Sequence, residues 1–448
     1  MKMNPVVSIV KNPVTPDRKR IDEMVHEALS LIGGLETVIK KGDSVVIKAN
    51  FFAPYPPPVS VDRRVASSFI RACYEAGAGK VILAEGVSVG TKLGRNSSTH
   101  AVMKELGIYE EAEAAGAEVL CLEDDERVEI VIPDGISIGR VSYPKTLLDC
   151  DILIDMPCMK MHGFTLATLC VKNFHGILND GQKYYAHRDD LEQKLIDVLK
   201  IRRPDLCFMD CITAMEGNGA GESGTPHPMN MLIAGHDMIA VDAVASACMG
   251  IDDPLDVTAT RLGQHAGFGC ADLNKIKVVG AQIRDVREKF IYPAKFQKEI
   301  DRGVLGVFPN VEVHIGGACR MCWNMATNIG RILAKYSDEK WILVVGNDPK
   351  YPYADQVDTK NVVFIGDCAC AATGNLKDLR QRMLLEGQGC LAIGCPPYRP
   401  AMATLEEFLI RRGLLTQEQL DASAEAAKRR TYEYYKKIDP EWCPLSER

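Results

Sequence analysis

Through the first 280 or so residues, short apolar segments alternate with longer stretches in which apolar positions recur at helical spacing. The short segments are VVSIV (6–10), SVVIKAN (44–50), KVILAEG (80–86), EVLCLE (118–123), ILIDMP (152–157), LCFMD (206–210) and MNMLIAG (229–235). Each is a near-continuous apolar run rich in β-branched residues, the pattern of parallel strands covered on both faces. Between them, RIDEMVHEALSLI, VASSFIRACYEAG and LEQKLIDVLKIRR have the period of amphipathic helices. The alternation predicts an α/β fold, a mostly parallel sheet with helices on both faces joined by right-handed crossovers. One run differs: VEIVIPDGISIGRVSYP alternates around Asp134 and Gly135 and predicts a β-hairpin added to the sheet.

From about 281 to 310 the chain turns charged and aromatic, QIRDVREKFIYPAKFQKEIDRGVLGVFPN, and reads as a linker or connecting helix. The α/β pattern resumes with VEVHIGG, a helix over 321–336, WILVVG, VVFIG, a helix over 375–386 and CLAIG. From Ala401 onward the chain reads as helices whose mixed charges suggest a solvated face. The expected organisation is an α/β substrate-pocket domain at 1–285, a linker at 286–310, a second, smaller α/β cysteine-rich domain at 311–400 and a helical C-terminal tail at 401–448.

Composition narrows the function classes. The 448 residues are 46% hydrophobic and 25% charged, ordinary globular values that exclude a disordered or fibrous chain. A net charge of -7 argues against a broad nucleic-acid surface. No stretch reaches the roughly 18 apolar residues of a membrane helix. The apolar run Val6–Val10 is shorter than the roughly 7–15 residues of a secretory core. The expectation is a cytoplasmic protein that binds neither nucleic acid nor membrane.

Sixteen cysteines stand out in that context. Nine lie singly before residue 310, mostly in apolar runs where a thiol behaves as a small hydrophobe. Six lie between Cys319 and Cys395, beside glycine and proline. Cys319 and Cys322 form a CxxC pair after a strand and at the start of a helix, whose N-terminus stabilises thiolates. Cys368 follows VVFIG, and Cys395 follows CLAIG. The carboxyl ends of parallel strands share one sheet edge, so three remote segments can present four sulfurs to one point. Four thiolates suit an iron–sulfur cluster or a zinc ion. Zinc ribbons pair their cysteines on tight hairpins, whereas here the third and fourth stand alone, with Pro396 and Pro397 following the last as beside ligands in ferredoxin-type motifs. The expected cofactor is a [4Fe–4S] cluster on Cys319, Cys322, Cys368 and Cys395, with Cys370 and Cys390 as spares or an exchangeable thiol pair. A thioredoxin-like dithiol at Cys319 and Cys322 is the rival, but it leaves GDCAC and GCPP without a role.

The first domain carries its own polar motifs. MKMHGFTLATLCVKNFHGILNDGQKYYAHR follows the strand ILIDMP and holds Lys160, His162, Lys172, Asn173, His175, Lys183 and His187. Three lysines and three histidines so close together suit a pocket for an anionic substrate. Next, MDCITAMEGNGAGESGTPHP runs from a strand ending at Asp210 into a loop with Glu216, Asn218 and glycines at 217, 219, 221 and 224, where backbone amides can approach a ligand. The spacing fits neither GxGxxG nor a P-loop. Asp242, in a helix with apolar neighbours, needs a backbone amide or a pocket lysine as partner. Lys48 and Asn50 end one strand and Glu85 another, at the same expected sheet edge.

Taken together, GDSVVIKANFF, KVILAEG, MKMHGFTLATLCVKNFHGIL, AMEGNGAGESGTP and AGHDMIAVDAVASACMG resemble domain-of-unknown-function family 362, often described as uncharacterised iron–sulfur-centre proteins, over most of residues 5–280. Many relatives carry a ferredoxin-like two-cluster insert of repeated CxxCxxC runs. This sequence has none, and its CxxC, GDC and GCPP motifs are similar to a cysteine-bearing C-terminal extension of some members. A more distant architectural likeness is to nickel-pincer lactate racemases, whose metal-binding residues find no match here. The resemblance implies a small-molecule pocket with a cluster nearby.

The leading expectation is an iron–sulfur enzyme performing redox chemistry on a small anionic metabolite in a cleft between the two domains. Lys160, His162, His187 and Glu216 are the catalytic candidates. Lys48, Asn50, Glu85, Lys172, Asn173, Asn218 and Asp242 are the substrate-binding ones. A ferredoxin-type electron carrier is the expected partner, and a homodimer is admitted. Alternatives are a non-catalytic iron–sulfur or zinc module serving as redox sensor or partner subunit, and a cluster-dependent lyase, hydratase or racemase-like isomerase.

Overall fold

The structure, a computed structural model, describes residues 4–95, 97–188, 190–221, 224–293, 308–397 and 399–448. It forms two compact units. The first takes the chain up to Lys183, then Asp190–Ile291 and Ala427–Arg448; the second takes Tyr184–Asp189 and Tyr292–Ala426. Much of the expected linker at 286–310 lies outside the described residues.

In the first unit the expected strands form β1 (Val6–Lys11), β2 (Ser44–Ala49), β3 (Lys80–Glu85) and β4 (Glu118–Cys121). Then come β5 (Arg127–Val131), β6 (Arg140–Pro144), β7 (Ile152–Met156), β8 (Cys158–His162), β9 (Leu166–Thr168), β10 (Leu206–Gly217), β11 (Gly224–Gly235) and β12 (Lys277–Gly280). The main sheet runs β12-β1-β11-β10-β7-β2-β3-β4, with β8 pairing β10 and β9 pairing β8. The pairs β10–β7, β7–β2, β2–β3 and β3–β4 are parallel. The body of that sheet is fully buried, with Val45, Ile47, Leu153, Ile154, Leu206 and Phe208 all at 0% exposure. This is the α/β architecture expected from the alternation of segments.

Three local expectations change. The hairpin β5–β6 is antiparallel but forms its own two-stranded sheet and does not extend the main one. Its turn amides are met elsewhere, because Asp197 Oδ2 accepts from the N–H groups of Ile136, Ser137 and Ile138 at 2.9, 2.7 and 3.1 Å. Secondly, β10 and β11 are long antiparallel partners paired as far as Gly217 and Gly224, so Glu216 stands on a strand and the glycine run is a hairpin tip. Pro226 and Pro228, together with a register shift between Cys211 and Thr213, hide that length in the sequence. Finally, Lys160 and His162 lie on a strand of their own, β8, and not at the end of β7.

The last residues are core, not only a solvated face. In the helix Gln417–Ile438 only Thr431, Tyr432 and Tyr435 are buried. Tyr432, Tyr435 and Trp442 join the main hydrophobic core of the first unit. Tyr435 donates to Asp62 Oδ1 at 2.8 Å, and Trp442 Nε1 donates to the carbonyl of Leu106 at 3.1 Å. Asp62 also takes the Arg64 guanidinium at 2.7 Å, while its backbone N–H donates to Asp210 Oδ2 at 2.7 Å. Burial raises the pKa of Asp62, but Arg64 more than offsets this and the net direction is down.

The second unit is a four-stranded sheet in the order β13 (Val311–Ile315), β14 (Trp341–Val345), β15 (Val362–Ile365) and β16 (Cys390–Ala392). All three pairings are parallel. The helix Arg320–Tyr336 buries Met325, Ile329 and Leu333 against Trp341, Leu343 and Val345, and Leu405 and Leu409 join the same cluster. Among the described residues no helix is long and apolar enough to cross a membrane.

Trp442→Ala removes a buried indole from the first unit and is expected to cost about 3–5 kcal/mol. The denaturant midpoint of the whole chain, followed by circular dichroism, checks this; a shift near zero would show that the C-terminal segment is dispensable.

Candidate functional site

Strands β2, β7 and β10 are adjacent, and their pairing sets Lys48 and Cys207 in register with Asp155. Side chains in register across neighbouring strands share a face, so a lysine, an aspartate and a cysteine stand side by side in an otherwise apolar sheet. All three are at 0% exposure. Lys48 Nζ lies 2.8 Å from Glu85 Oε1 on β3 and donates to the carbonyl of Ala49 at 2.6 Å. Glu85 also accepts from the N–H groups of Phe51 and Gly86, at 2.9 and 2.7 Å. Gly176 seals the pair from above: a Cβ there would fall 2.4 Å from Glu85 Oε1 and 2.8 Å from Lys48 Nζ.

Asn173 links this pair to its surroundings. Its Nδ2 donates to the carbonyl of Lys48 at 3.1 Å and to Asp155 Oδ1 at 2.8 Å. Its Oδ1 accepts from Lys48 Nζ at 3.2 Å and from Asn50 Nδ2 at 2.9 Å. Asn50 Oδ1 in turn accepts from Lys160 Nζ at 2.6 Å, and Lys160 lies 4.7 Å from the centre of the Phe52 ring. Burial drives the pKa of Lys160 down. His162 Nδ1 accepts from the N–H groups of Phe164 and Thr165 at 3.0 and 3.3 Å, which keeps the proton of the neutral ring on Nε2.

Lys172 is different from these. It is 8% exposed and makes no side-chain hydrogen bond or ion pair among the described residues. Burial lowers its pKa from 10.5 to about 8; the charge of Glu192 opposes the shift, and Lys160 and Lys48 add to it. Lys183, by contrast, donates to the carbonyls of Gly86 and Val87, both at 2.9 Å. Asp242 has found backbone amides, the first of the two partners expected for it: its carboxylate accepts from the N–H groups of Cys170 and Val171 at 2.7 and 3.3 Å, and burial raises its pKa to about 7.

Lys48, Asn50, Glu85, Lys160 and Asn173 thus form one bonded cluster, with Lys172 in electrostatic range of it. Two other candidates lie elsewhere. His187 belongs to the segment 184–189 of the second unit. Glu216 accepts from the N–H of Ile291 at 2.9 Å and lies 3.2 Å from His227 Nδ1, with Glu288 on the other ring nitrogen at 2.8 Å. Glu216 does therefore orient a histidine, but one that the sequence reading had not singled out. Asn218 sits in the hairpin tip, where Gly219 packs so closely on the Met161 carbonyl that a Cβ would come within 2.1 Å of it.

In the second unit Cys319 caps the helix Arg320–Tyr336, and Cys322 is in its first turn. Cys368 lies in the helical turn Gly366–Cys370 after β15, and Cys395 follows β16. The two loops are tied together, because Gly394 N–H donates to Asp367 Oδ1 at 2.8 Å. Gly366, at φ +81°, leaves room for Cys322 Sγ, which would stand 3.0 Å from a Cβ at that position. The Cys322 thiol pKa is pushed far up by its hydrogen bond to Cys319, by burial and by the sulfurs of Cys368 and Cys395. Cys395 is shifted upward by burial and by Cys368 and Cys319. Four sulfurs from three loops therefore act on one another at one sheet edge. No three of them lie mutually within 4.8 Å. Ligands 2.3 Å from a single tetrahedral zinc would be about 3.8 Å apart, so the set is open for one ion, and a polynuclear centre has the wider spread. Cys370 acts on Cys390, whose thiol pKa is pushed up to about 12 mainly by burial, and neither is among the groups acting on Cys322 or Cys395.

Two smaller groupings, Asp155 with Cys170 and Cys207, and His100 with Cys121 and Asp124, also bring their ligand atoms within 4.8 Å. The sequence signal for the first was slight, a single acidic residue inside the apolar strand ILIDMP. With sixteen cysteines, these groupings fit a metal-binding chain.

The strands and helices that carry Lys48, Asp155, Lys160, Asn173 and Asp242 all fall inside one recognisable stretch. Residues 45–247 match the family described as Domain of unknown function (DUF362). The DUF362 region thus holds the whole lysine cluster, and the cysteine quartet lies beyond it. A thylakoid-associated protein of Synechocystis sp. is 26% identical over 246 residues, covering 52% of this chain and 73% of that one. Among solved structures, a lactate racemase apoprotein from Thermoanaerobacterium thermosaccharolyticum is 14% identical with a TM-score of 0.33, over 52% of this chain and 54% of that one. A Thermotoga maritima protein is 10% identical with a TM-score of 0.28, over 57% and 60%. The chain therefore spans little more than half the length of either solved structure, and likenesses this slight carry no inference about chemistry.

Lys48→Met in the DUF362 region would leave Glu85 buried without a counter-charge and is expected to cost about 3–5 kcal/mol. Lys48→Met combined with Glu85→Leu should recover most of that loss. Thermal unfolding of the three chains checks it; an additive double variant would mean that the two groups are not coupled.

Proposed function

We propose that this chain is an iron–sulfur enzyme that acts by redox chemistry on a small anionic metabolite bound at the lysine cluster of its DUF362 region. One observation carries the substrate half of the reading: Lys172 is a largely buried lysine with no hydrogen-bond acceptor among the described residues, in range of Lys160 and Lys48. Buried ammonium groups are costly unless paired, and an anionic ligand supplies the missing partner. Lys172 and Lys160 would hold carboxylate or phosphate oxygens, while the Lys48–Glu85 pair and Asn173 keep the floor rigid. His162, with Nδ1 occupied by two backbone donors, would present its Nε2–H as a hydrogen-bond donor to a ligand oxygen.

The donor set of the second unit supports the cofactor half. Cys319, Cys322, Cys368 and Cys395 would hold a [4Fe–4S] cluster, which supplies one-electron exchange when bound. A ferredoxin-type carrier is the matching partner class. Sixteen cysteines, none of them in a disulfide, suit a reducing compartment such as the cytoplasm.

Anion binding requires the protonated Lys172. Its pKa lies near 8 in the free chain, so affinity for a probe such as malonate or inorganic phosphate should be flat below pH 8 and fall roughly tenfold per pH unit above it. Lys172→Arg, always charged, should remove that decline, and Lys172→Met should abolish binding. Calorimetry across pH 6–10 reads all three. Binding that is unchanged in Lys172→Met sinks the assignment.

Anaerobic reconstitution should yield about four irons and four sulfides per chain, with a broad visible absorption. Cys322→Ser or Cys395→Ser should lower both contents, while Cys390→Ser should leave them unchanged. Less than about one iron per chain would defeat the cofactor assignment.

A further inference from the structure

We propose that the first unit holds a zinc-type ion of its own, bound by Asp155, Cys170 and Cys207 beneath the lysine cluster. Three elements converge there. Asp155 on β7 and Cys207 on β10 are register partners of adjacent parallel strands. Cys170 opens the short helix Cys170–Asn173, which is anchored by the bond from its own N–H to Asp242 Oδ1 at 2.7 Å. The carboxylate oxygen and the two sulfurs lie within 4.8 Å of one another, and all three residues are buried. Ligands on a tetrahedral zinc stand about 3.5–3.8 Å apart, so closing the set needs only small side-chain shifts.

A poorly satisfied atom points to the ligand. Asp155 Oδ1 accepts from Asn173 Nδ2 at 2.8 Å, whereas Asp155 Oδ2 is buried with no nitrogen or oxygen donor among the described residues and is met only by the Cys170 thiol. A thiol is a weak donor, so this buried carboxylate oxygen is poorly satisfied, and a cation set between it and the two sulfurs removes that cost. The donors select the metal. Two thiolates and one carboxylate suit a borderline-soft ion of the zinc class, whereas calcium and magnesium take oxygen alone. Two thiolates and a carboxylate carry one negative charge more than a divalent ion neutralises. Lys48, the register neighbour of Asp155 on β2, eases that excess only in part, because its ammonium is already paired with Glu85. On binding, the two thiols and the Asp155 carboxyl, which burial keeps protonated in the metal-free site, each release a proton to solvent, and two metal–sulfur bonds and one metal–oxygen bond form; no electron is moved.

The test uses the full chain in which Cys319, Cys322, Cys368 and Cys395 are all replaced by serine; Cys370 with Cys390 and the His100–Cys121–Asp124 grouping remain, and the Asp155 and Cys207 variants below separate them from the site named here. Purified with zinc, it should retain about one zinc ion per chain. Loaded with cobalt(II) instead, it should show thiolate charge-transfer and tetrahedral d–d bands. Asp155→Asn or Cys207→Ala should lose both signals. A second measurement needs no change at the other cysteines. Asp155→Asn preserves the shape of the side chain and its acceptor for Asn173. If zinc is held there, the intact Asp155→Asn chain melts at lower temperature and, unlike the wild type, shows no further loss with a chelator. If the site holds only a proton, asparagine relieves a buried carboxyl group, and the variant is as stable as the wild type or more so. That result, or an absence of zinc from the four-serine chain, overturns the site.

Discussion

A lysine ammonium 2.8 Å from a glutamate, both sealed inside a parallel sheet, is the contact around which the first unit organises its buried polar groups. Once Lys48 and Glu85 are removed from water, every neighbour must either satisfy them or stay clear. The backbone N–H groups of Phe51 and Gly86 turn toward Glu85, Asn173 lends its carbonyl oxygen to Lys48, and Gly176 gives up a side chain altogether. Asn173 can serve both sides because a carboxamide donates and accepts at once. Through it the charge pair is joined to Asp155 on one side and, via Asn50, to Lys160 on the other. Lys172 is the member of this group with no hydrogen-bond acceptor among the described residues.

The second unit solves a different problem with simpler means. Its four strands are all parallel, so the loops after β13, β15 and β16 leave from the same edge. Cysteines placed at those exits meet without any long-range packing having to aim them. The bond between Gly394 and Asp367 holds two of the loops together, and the space beside Gly366 admits Cys322. Cys319, Cys368 and Cys395 all push the Cys322 thiol up, and Cys368 and Cys319 push Cys395 up, a condition that a bound cationic centre would relieve.

Much of this was legible before any coordinates. The strands at 44–50, 80–86 and 152–157 were plain because a buried parallel strand has to be apolar on both faces, and few other elements look like that. The lysine cluster was legible for a related reason, since Lys48 and Glu85 end such apolar runs and Lys160 follows another, at the strand ends where ligands collect. The long β10–β11 pair was not, because prolines and a register shift erase the alternation that marks an antiparallel strand. Nor was the role of Tyr432, Tyr435 and Trp442, whose helix carries enough charge to pass for a solvated one while only one stripe of it is core.

What the amino-acid order determined alone is the set of elements, their mostly parallel arrangement and the chemistry available at their ends, because periodicity and strand polarity are local properties. Which partner each buried group takes was decided only by the folded chain. Asp242 turned to backbone amides, Glu216 to His227 and Ile291, and Lys183 to two carbonyls, while Lys172 was left unpaired. Hydrogen bonds reach about 3 Å, so residues far apart in sequence become partners only when packing brings them within that distance, and no local pattern records it.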